Sequence, residues 1–175
     1  MTRRFFLGFT FLLVVLSGCG YTTGSLLPSN YRTLHVEPFA NKVEFVNENS
    51  RNLYVPLMEV KVRTAVIDRF QLDGHLRLSD SDKSDLTLKG NLIAFQRDDL
   101  RTDQNQNVQE YRLRIMVSLT MVDNTTGQVL WKESSFAGES TYFTSGPQAK
   151  SETAALNDTL TDLSRRVVER PIENW

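Results

Sequence analysis

The amino-acid sequence predicts an α+β fold, a two-layer sandwich in which two helices pack on one face of a mixed, mostly antiparallel sheet, in the order β-α-β-β-β-α. Three observations predict it. Residues 110–122 (EYRLRIMVSLTMV) alternate apolar and polar side chains with a strict period of two, the pattern of a strand with one core face and one wet face. Two other segments, 56–70 and 151–170, switch to helical spacing. Between them three strand candidates follow one another with no helix, so two helices are left to cover one face of one sheet. The first β-α-β connection requires a parallel strand pair, which makes the sheet mixed.

The chain opens with Arg3 and Arg4, an apolar run from Phe5 to Leu16, and Leu16-Ser17-Gly18-Cys19. Twelve apolar residues span about 18 Å as a helix, short of a hydrocarbon core of about 30 Å, so the run reads as a cleaved signal peptide. Leu-Ser-Gly-Cys resembles the bacterial lipobox, which implies cleavage before Cys19, diacylglycerol on its sulfur and an acyl chain such as palmitate on its amine. By resemblance to lipoprotein sorting, Gly20 favours the outer membrane. No other cofactor is expected. The divisions are therefore a signal peptide over 1–18, a lipidated tether over 19–32, one domain over 33–170 and a tail over 171–175. Gly20 to Arg32 (GYTTGSLLPSNYR) is aperiodic and suits a tether.

Thr33 to Phe39 alternates Leu34 and Val36 with His35 and Glu37, a short strand ended by Pro38. Asn41 to Asn49 is a polar connection. Pro56 fits the first turn of a helix running to Phe70, with Leu57, Val60, Ala65, Ile67 and Phe70 on the inner side and Glu59, Lys61, Arg63 and Asp68 on the outer. Leu53 extends that stripe by a turn, and Gln71 to Gly74 ends the helix. The first strand after it starts at His75 to Ser79, is interrupted by Asp80 to Ser84 and resumes as Asp85 to Phe95, with Leu86, Leu88, Leu92 and Ala94 sharing a face. Asp123 to Gly127 has hairpin length, so Gln128 to Ala137 should pair antiparallel with 110–122, anchored by Trp131. Leu156, Leu160, Leu163 and Val167 repeat at helical spacing behind Ser151, and Pro171 ends that helix.

Removing Arg3 and Arg4 with the signal peptide takes the formal charge from −1 to −3, which excludes a nucleic-acid binder because phosphate neutralisation needs clustered cations in excess. The single cysteine is committed to lipid, so the mature domain forms no internal disulfide. No nucleophile elbow, phosphate loop or zinc-binding His pair is present, which argues against an enzyme. His35 and His75 read as surface or hydrogen-bonded histidines rather than metal ligands. The acidic stretches 80–85 and 98–99 read as solvated turns. Gln96 to Gln109 (QRDDLRTDQNQNVQ) is longer than a hairpin requires, which makes it either a mobile surface loop or a projection that orders on a partner. Arg97 and Arg101 in that segment, Arg112 and Arg114 on the wet face of the next strand, and Lys89 nearby are candidate contacts for a partner or for anionic sugar and phosphate groups.

Gly18-Cys19-Gly20-Tyr21, Val36-Glu37-Pro38-Phe39-Ala40-Asn41, Ser84-Asp85-Leu86-Thr87-Leu88-Lys89-Gly90 and Gly127-Gln128-Val129-Leu130-Trp131, in that order around two helices, resemble the lipopolysaccharide-assembly lipoproteins of the LptE family. The tether lacks the basic residue often found after the family's Cys-Gly-Tyr start. The resemblance implies a lipid-anchored, non-catalytic protein at the periplasmic side of a Gram-negative outer membrane. It also implies a β-barrel partner, LptD, which the lipoprotein plugs and helps to assemble, and lipopolysaccharide as a ligand during its insertion into the outer leaflet. The alternative is a pilotin-like helper of a different outer-membrane pore. Because stable anchoring needs two or more acyl chains at about 0.8 kcal/mol per buried methylene, Cys19→Ala should release a soluble domain that remains folded. Membrane fractionation with circular dichroism checks this, and an unfolded variant would show that the anchor also maintains the fold.

Overall fold

A computed structural model describes residue 28, residues 30–45 and residues 52–173; the signal peptide, Cys19 and most of the tether lie outside these. The elements are β1 (Thr33–Val36), β2 (Ala40–Asn41), α1 (Met58–Asp73), β3 (Arg77–Leu78), a short 3-10 turn (Ser81–Lys83), β4 (Leu86–Thr102), β5 (Val108–Asp123), β6 (Val129–Phe143) and α2 (Glu152–Glu173). They form the expected α+β arrangement. The strand order is β3-β1-β4-β5-β6, with β2 also paired to β4. β1 is parallel to both β3 and β4, β2 is parallel to β4, and β4-β5-β6 is an antiparallel meander.

β5 behaves as its alternation requires. Leu113, Ile115, Val117, Leu119 and Met121 are each within 1% of complete burial, whereas the residues between them are half-exposed. α2 lies across β6 at Gly138, where a Cβ would stand 2.6 Å from the backbone N and Cα of Leu163. That approach explains why Ala155 and Thr159, both fully buried, occupy the inner stripe above Leu163 and Val167. Leu156 and Leu160 pack at its margin. Ser151 caps this helix by accepting from the Ala154 N–H. The second close approach is at Gly90, where the Phe39 ring occupies the space a Cβ would take, at 2.4 Å.

Several sequence expectations are corrected. The inner stripe of α1 is Met58, Val62, Val66 and Phe70, while Leu57 and Val60 are exposed. Apolar side chains surround this helix, so spacing alone does not select a face, and the four-residue repeat is chosen by packing on the sheet. Leu53 does not extend the helix; its N–H donates to the Phe95 carbonyl beside the Asn52 to Gln96 bridge, so it continues the edge of β4. The interrupted strand is two strands. β3 and β4 lie on opposite sides of β1, which a polar segment of turn length permits.

A bulge at Ile93 shifts the face of β4 midway. Ala94 consequently pairs with Met116 on the wet face, and Phe95 takes the core position opposite Ile115. The polar stretch 96–109 is mostly strand rather than loop, because β4 continues to Thr102 and β5 begins at Val108. Asp98 and Asp99 therefore lie in a strand, not a turn. β6 likewise extends to Phe143 instead of ending at Ala137. α2 continues through Pro171 to Glu173, since a proline in the last turn forfeits one amide donor without undoing the turns before it.

Leu113→Ala, Ile115→Ala or Leu119→Ala should each cost about 2 to 5 kcal/mol. Arg112→Ala and Arg114→Ala should cost about 1 kcal/mol or less, as half-exposed ion pairs do. Gly138→Ala should fall in the first group, because the obstructing atoms are helix backbone. Urea denaturation midpoints decide the matter: similar losses in the two arginine and the core variants would mean that the faces of β5 are misassigned.

Candidate functional site

The face of the sheet that the helices leave uncovered is built by the outward residues of β4, β5 and β6. Cross-strand register sets Gln96 beside Arg114 and Asp98 beside Arg112, and on the other flank Arg114 beside Glu139 and Arg112 beside Thr141. The charges interlock. Arg114 reaches Asp98 at 3.9 Å and Glu139 at 3.5 Å, while Arg112 reaches the same Glu139 carboxylate at 3.9 Å. Each of these pairs exchanges hydration for Coulomb attraction in partly screened surroundings, so the group favours a defined surface more than it adds stability.

All five basic residues singled out from the sequence face an acid. Lys89 pairs with Glu37 at 3.4 Å and Arg101 with Glu110 at 3.7 Å. Arg97 points to the helix side, because the Ile93 bulge places it opposite Leu113. There it donates to Glu152 at 2.7 Å and lies over the Tyr111 ring at 4.8 Å. Tyr142 donates to the same Glu152 carboxylate, and its phenol is pushed up to about 12 by burial and then by the Glu152 hydrogen bond and charge. Glu152, in the first turn of α2, is also favoured by the helix dipole. The structure thus brings Arg112 and Arg114 together, and separates them from Arg97 on the opposite face and Lys89 farther down the sheet.

Beyond the Arg97, Tyr111 and Tyr142 cluster the β4-β5 hairpin continues as an arm. Its tip is the turn 103–107, in which the Asp103 carboxylate accepts from the Asn105 and Asn107 backbone N–H groups and from the Asn107 side chain. The Asn107 side-chain bond, with the backbone donors, holds that carboxyl below its ordinary range. Gln106 adopts a φ of 64° at the turn. Apart from Leu100 and Val108 the arm is polar on both broad faces, so its register depends on cross-strand ion pairs and the turn rather than on burial.

At the other end of the domain a clamp receives the tether. Asp85 accepts hydrogen bonds from the Arg32 and Thr33 N–H groups at 2.9 Å and from the Thr33 hydroxyl at 2.8 Å. Tyr31 donates to Asp123, which also accepts from the Thr126 hydroxyl. From Asp123 to Val108 the strand β5 rises through 15 residues, about 50 Å at 3.3 Å per residue. The tether root and the arm tip are therefore at opposite poles. Sequence reading missed the long-range pairings of Glu139, Glu152, Tyr142, Asp85, Asp123 and Tyr31, which join residues 10 to 92 positions apart along the chain. His35 sits 3.3 Å from the Ser79 carbonyl and His75 2.8 Å from Asp73, and among the described residues no group of three or more potential ligands is placed to hold a metal. No described helix is long and apolar enough to cross a membrane.

The family model LptE, described as lipopolysaccharide-assembly, matches residues 31–170. Among solved structures, protein XCC0632 of Xanthomonas campestris is similar over 86% of this chain and 92% of its own, with a TM-score of 0.59 and 14% identity. A PelC dodecamer from Paraburkholderia phytofirmans covers 86% and 95%, with a TM-score of 0.51 and 15% identity. A minor lipoprotein from Acinetobacter baumannii covers 82% and 92%, at 0.50 and 13%. At these identities the similarity concerns the fold. No curated protein matches the sequence.

The Arg32 backbone donor first, then the Thr33 hydroxyl, holds the Asp85 carboxyl below its usual value of 3.8. A depressed carboxylate stabilises the fold fully above its unfolded pKa, near 4, and the benefit disappears as pH falls through the folded value. Asp85→Asn should therefore be less stable than wild type at pH 7, with the gap narrowing below about pH 4. Melting curves from pH 3 to 7 test this, and a gap that is constant with pH would remove the carboxylate from the clamp.

Proposed function

Because the chain belongs to the LptE family of lipopolysaccharide assembly, we propose that it is an outer-membrane lipoprotein, anchored through Cys19 on the periplasmic side, that occupies and helps to assemble an LptD-like β-barrel during lipopolysaccharide insertion. The family is an accessory one rather than a family of enzymes. The observation that carries the specific reading is the uncovered sheet face with its arm. It is polar and internally charge-paired, which matches the polar, hydrated lumen of a wide barrel. The opposite placement of tether and arm supports an orientation in which the anchored pole stays at the periplasmic mouth and the arm enters the lumen.

Local pairing also changes how four of the five basic residues act. Lys89, Arg101, Arg112 and Arg114 meet an anionic sugar or a barrel group only by exchanging an acid they already hold, so they confer register and selectivity more than net attraction. A pilotin-like role at another pore remains the competing assignment, and what copurifies from native membranes separates the two.

Replacing Leu100 to Glu110 by Asn-Gly closes the hairpin between Asp99 and Tyr111, which face each other in register. This shortened protein should keep its melting temperature within a few degrees and lose most barrel copurification. Photocrosslinkers at positions 101, 105, 112 and 114 of the intact protein should capture the barrel, more readily than ones at 61 and 162 on the helical side. Full copurification after arm removal, together with no crosslink at the four positions, would reject the sheet face as the partner surface.

A further inference from the structure

Toward the arm, the last buried side chain of β4 is Phe95 and the first of β5 is Leu113; from Gln96 to Thr102 and from Val108 to Arg112 neither strand buries one. A ribbon without a buried layer twists and bends readily, so its direction must be fixed at its base. Three elements meet there on one carboxylate. Glu152, the first residue of α2, accepts from Arg97 of β4 at 2.7 Å and from the buried Tyr142 of β6 at 3.0 Å. The Arg97 guanidinium also lies over the Tyr111 ring, which stands 5.5 Å from the ring of Tyr142. α2 is a firm base for this contact, because its backbone is packed directly on Gly138 of β6. The connection from β6 into α2 grips the other strand of the arm: the Thr144 hydroxyl donates to the Val108 carbonyl at 3.1 Å and Ser145 to the Gln109 side chain at 3.2 Å.

We propose that Arg97 and Glu152 are positioning residues for the barrel contact: their pair, closed by Tyr142, latches the arm to the start of α2 and sets the direction in which it projects. The inference rests on the reading of the arm as the part that enters a barrel. With side chains 36% and 44% exposed, the pair adds little to global stability. Its effect is angular. Arg97 to Thr102 is five residues, about 17 Å at 3.3 Å per residue, so a small rotation at the joint becomes a larger displacement at the tip. Arg97 faces the helix layer, opposite Leu113, and therefore acts through the arm rather than by meeting the partner.

The test uses full-length lipoprotein in detergent micelles, with spin labels on ketone side chains introduced at the exposed positions 105 and 161, on the arm tip and on α2. Pulsed electron spin resonance reads the distance between them. Wild type should give one narrow distribution. Arg97→Glu, which sets two carboxylates against each other, should broaden and shift it while the melting temperature stays within a few degrees. Glu152→Gln, which leaves Tyr142 an acceptor, should broaden it less, and Arg97→Glu combined with Glu152→Arg should restore the narrow form. In native membranes Arg97→Glu should lose most crosslinks from positions 101 and 105 to the barrel and keep those from 114, and the charge exchange should recover them. A distribution unchanged by Arg97→Glu, or a crosslink loss that the exchange does not recover, as expected if Arg97 met the partner directly, would overturn the proposal. The distance measurement needs no barrel, so wild-type protein that captures none at any position rejects the barrel reading while the distances still decide the latch.

Discussion

The central strand β5 holds five successive inward side chains out of water while the residues between them meet solvent, and the remaining structure is arranged around that constraint. A period of two fixes which atoms need cover and which do not. α1 and α2 supply the cover on one side only. β4 must match β5 along nearly its whole length, and where a regular ladder would not place the side chains correctly the bulge at Ile93 changes phase, bringing Phe95 inward. Gly90 and Gly138 let Phe39 and α2 approach the sheet closely enough to exclude water from the same core.

Charge on the uncovered face follows a different logic. Lys89, Arg112 and Arg114 are matched by acids on neighbouring strands, so around them the surface presents alternating sign at short range and little field at long range. Such a surface does not gather anions from a distance. It discriminates by geometry, because a partner must offer groups at the spacing of the strands to exchange one pairing for another. Arg97 shows how finely this is set: one unpaired residue upstream transfers its guanidinium from the wet face to the joint between the arm and α2.

The two poles of the molecule are also held by different means. Around the tether, carboxylates accept directly from backbone and hydroxyl donors, which fixes where the chain leaves the domain. At the arm, no buried apolar layer assists, and the turn and cross-strand pairs maintain the projection. Between them runs one hairpin, bulged at Ile93, so the position of the anchored end and the direction of the arm are geometrically linked.

By itself the sequence determined the α+β class, the alternation of β5, the Asp123 to Gly127 turn and the family, because each is encoded in neighbouring residues or in short motifs kept in order. Only the tertiary structure decided the inner face of α1, the position of β1 between β3 and β4, the bulge at Ile93 and the continuation of strand through the polar stretch 96–109. Apolar residues on every side of α1 leave its orientation to packing, and a polar stretch such as Gln96 to Thr102 enters a strand when cross-strand partners accept its hydrogen bonds and charges. The pairing of Arg112 and Arg114 with Glu139 was illegible for the same reason: those residues are 25 or more positions apart, and register, which is a property of the assembled sheet, makes them neighbours.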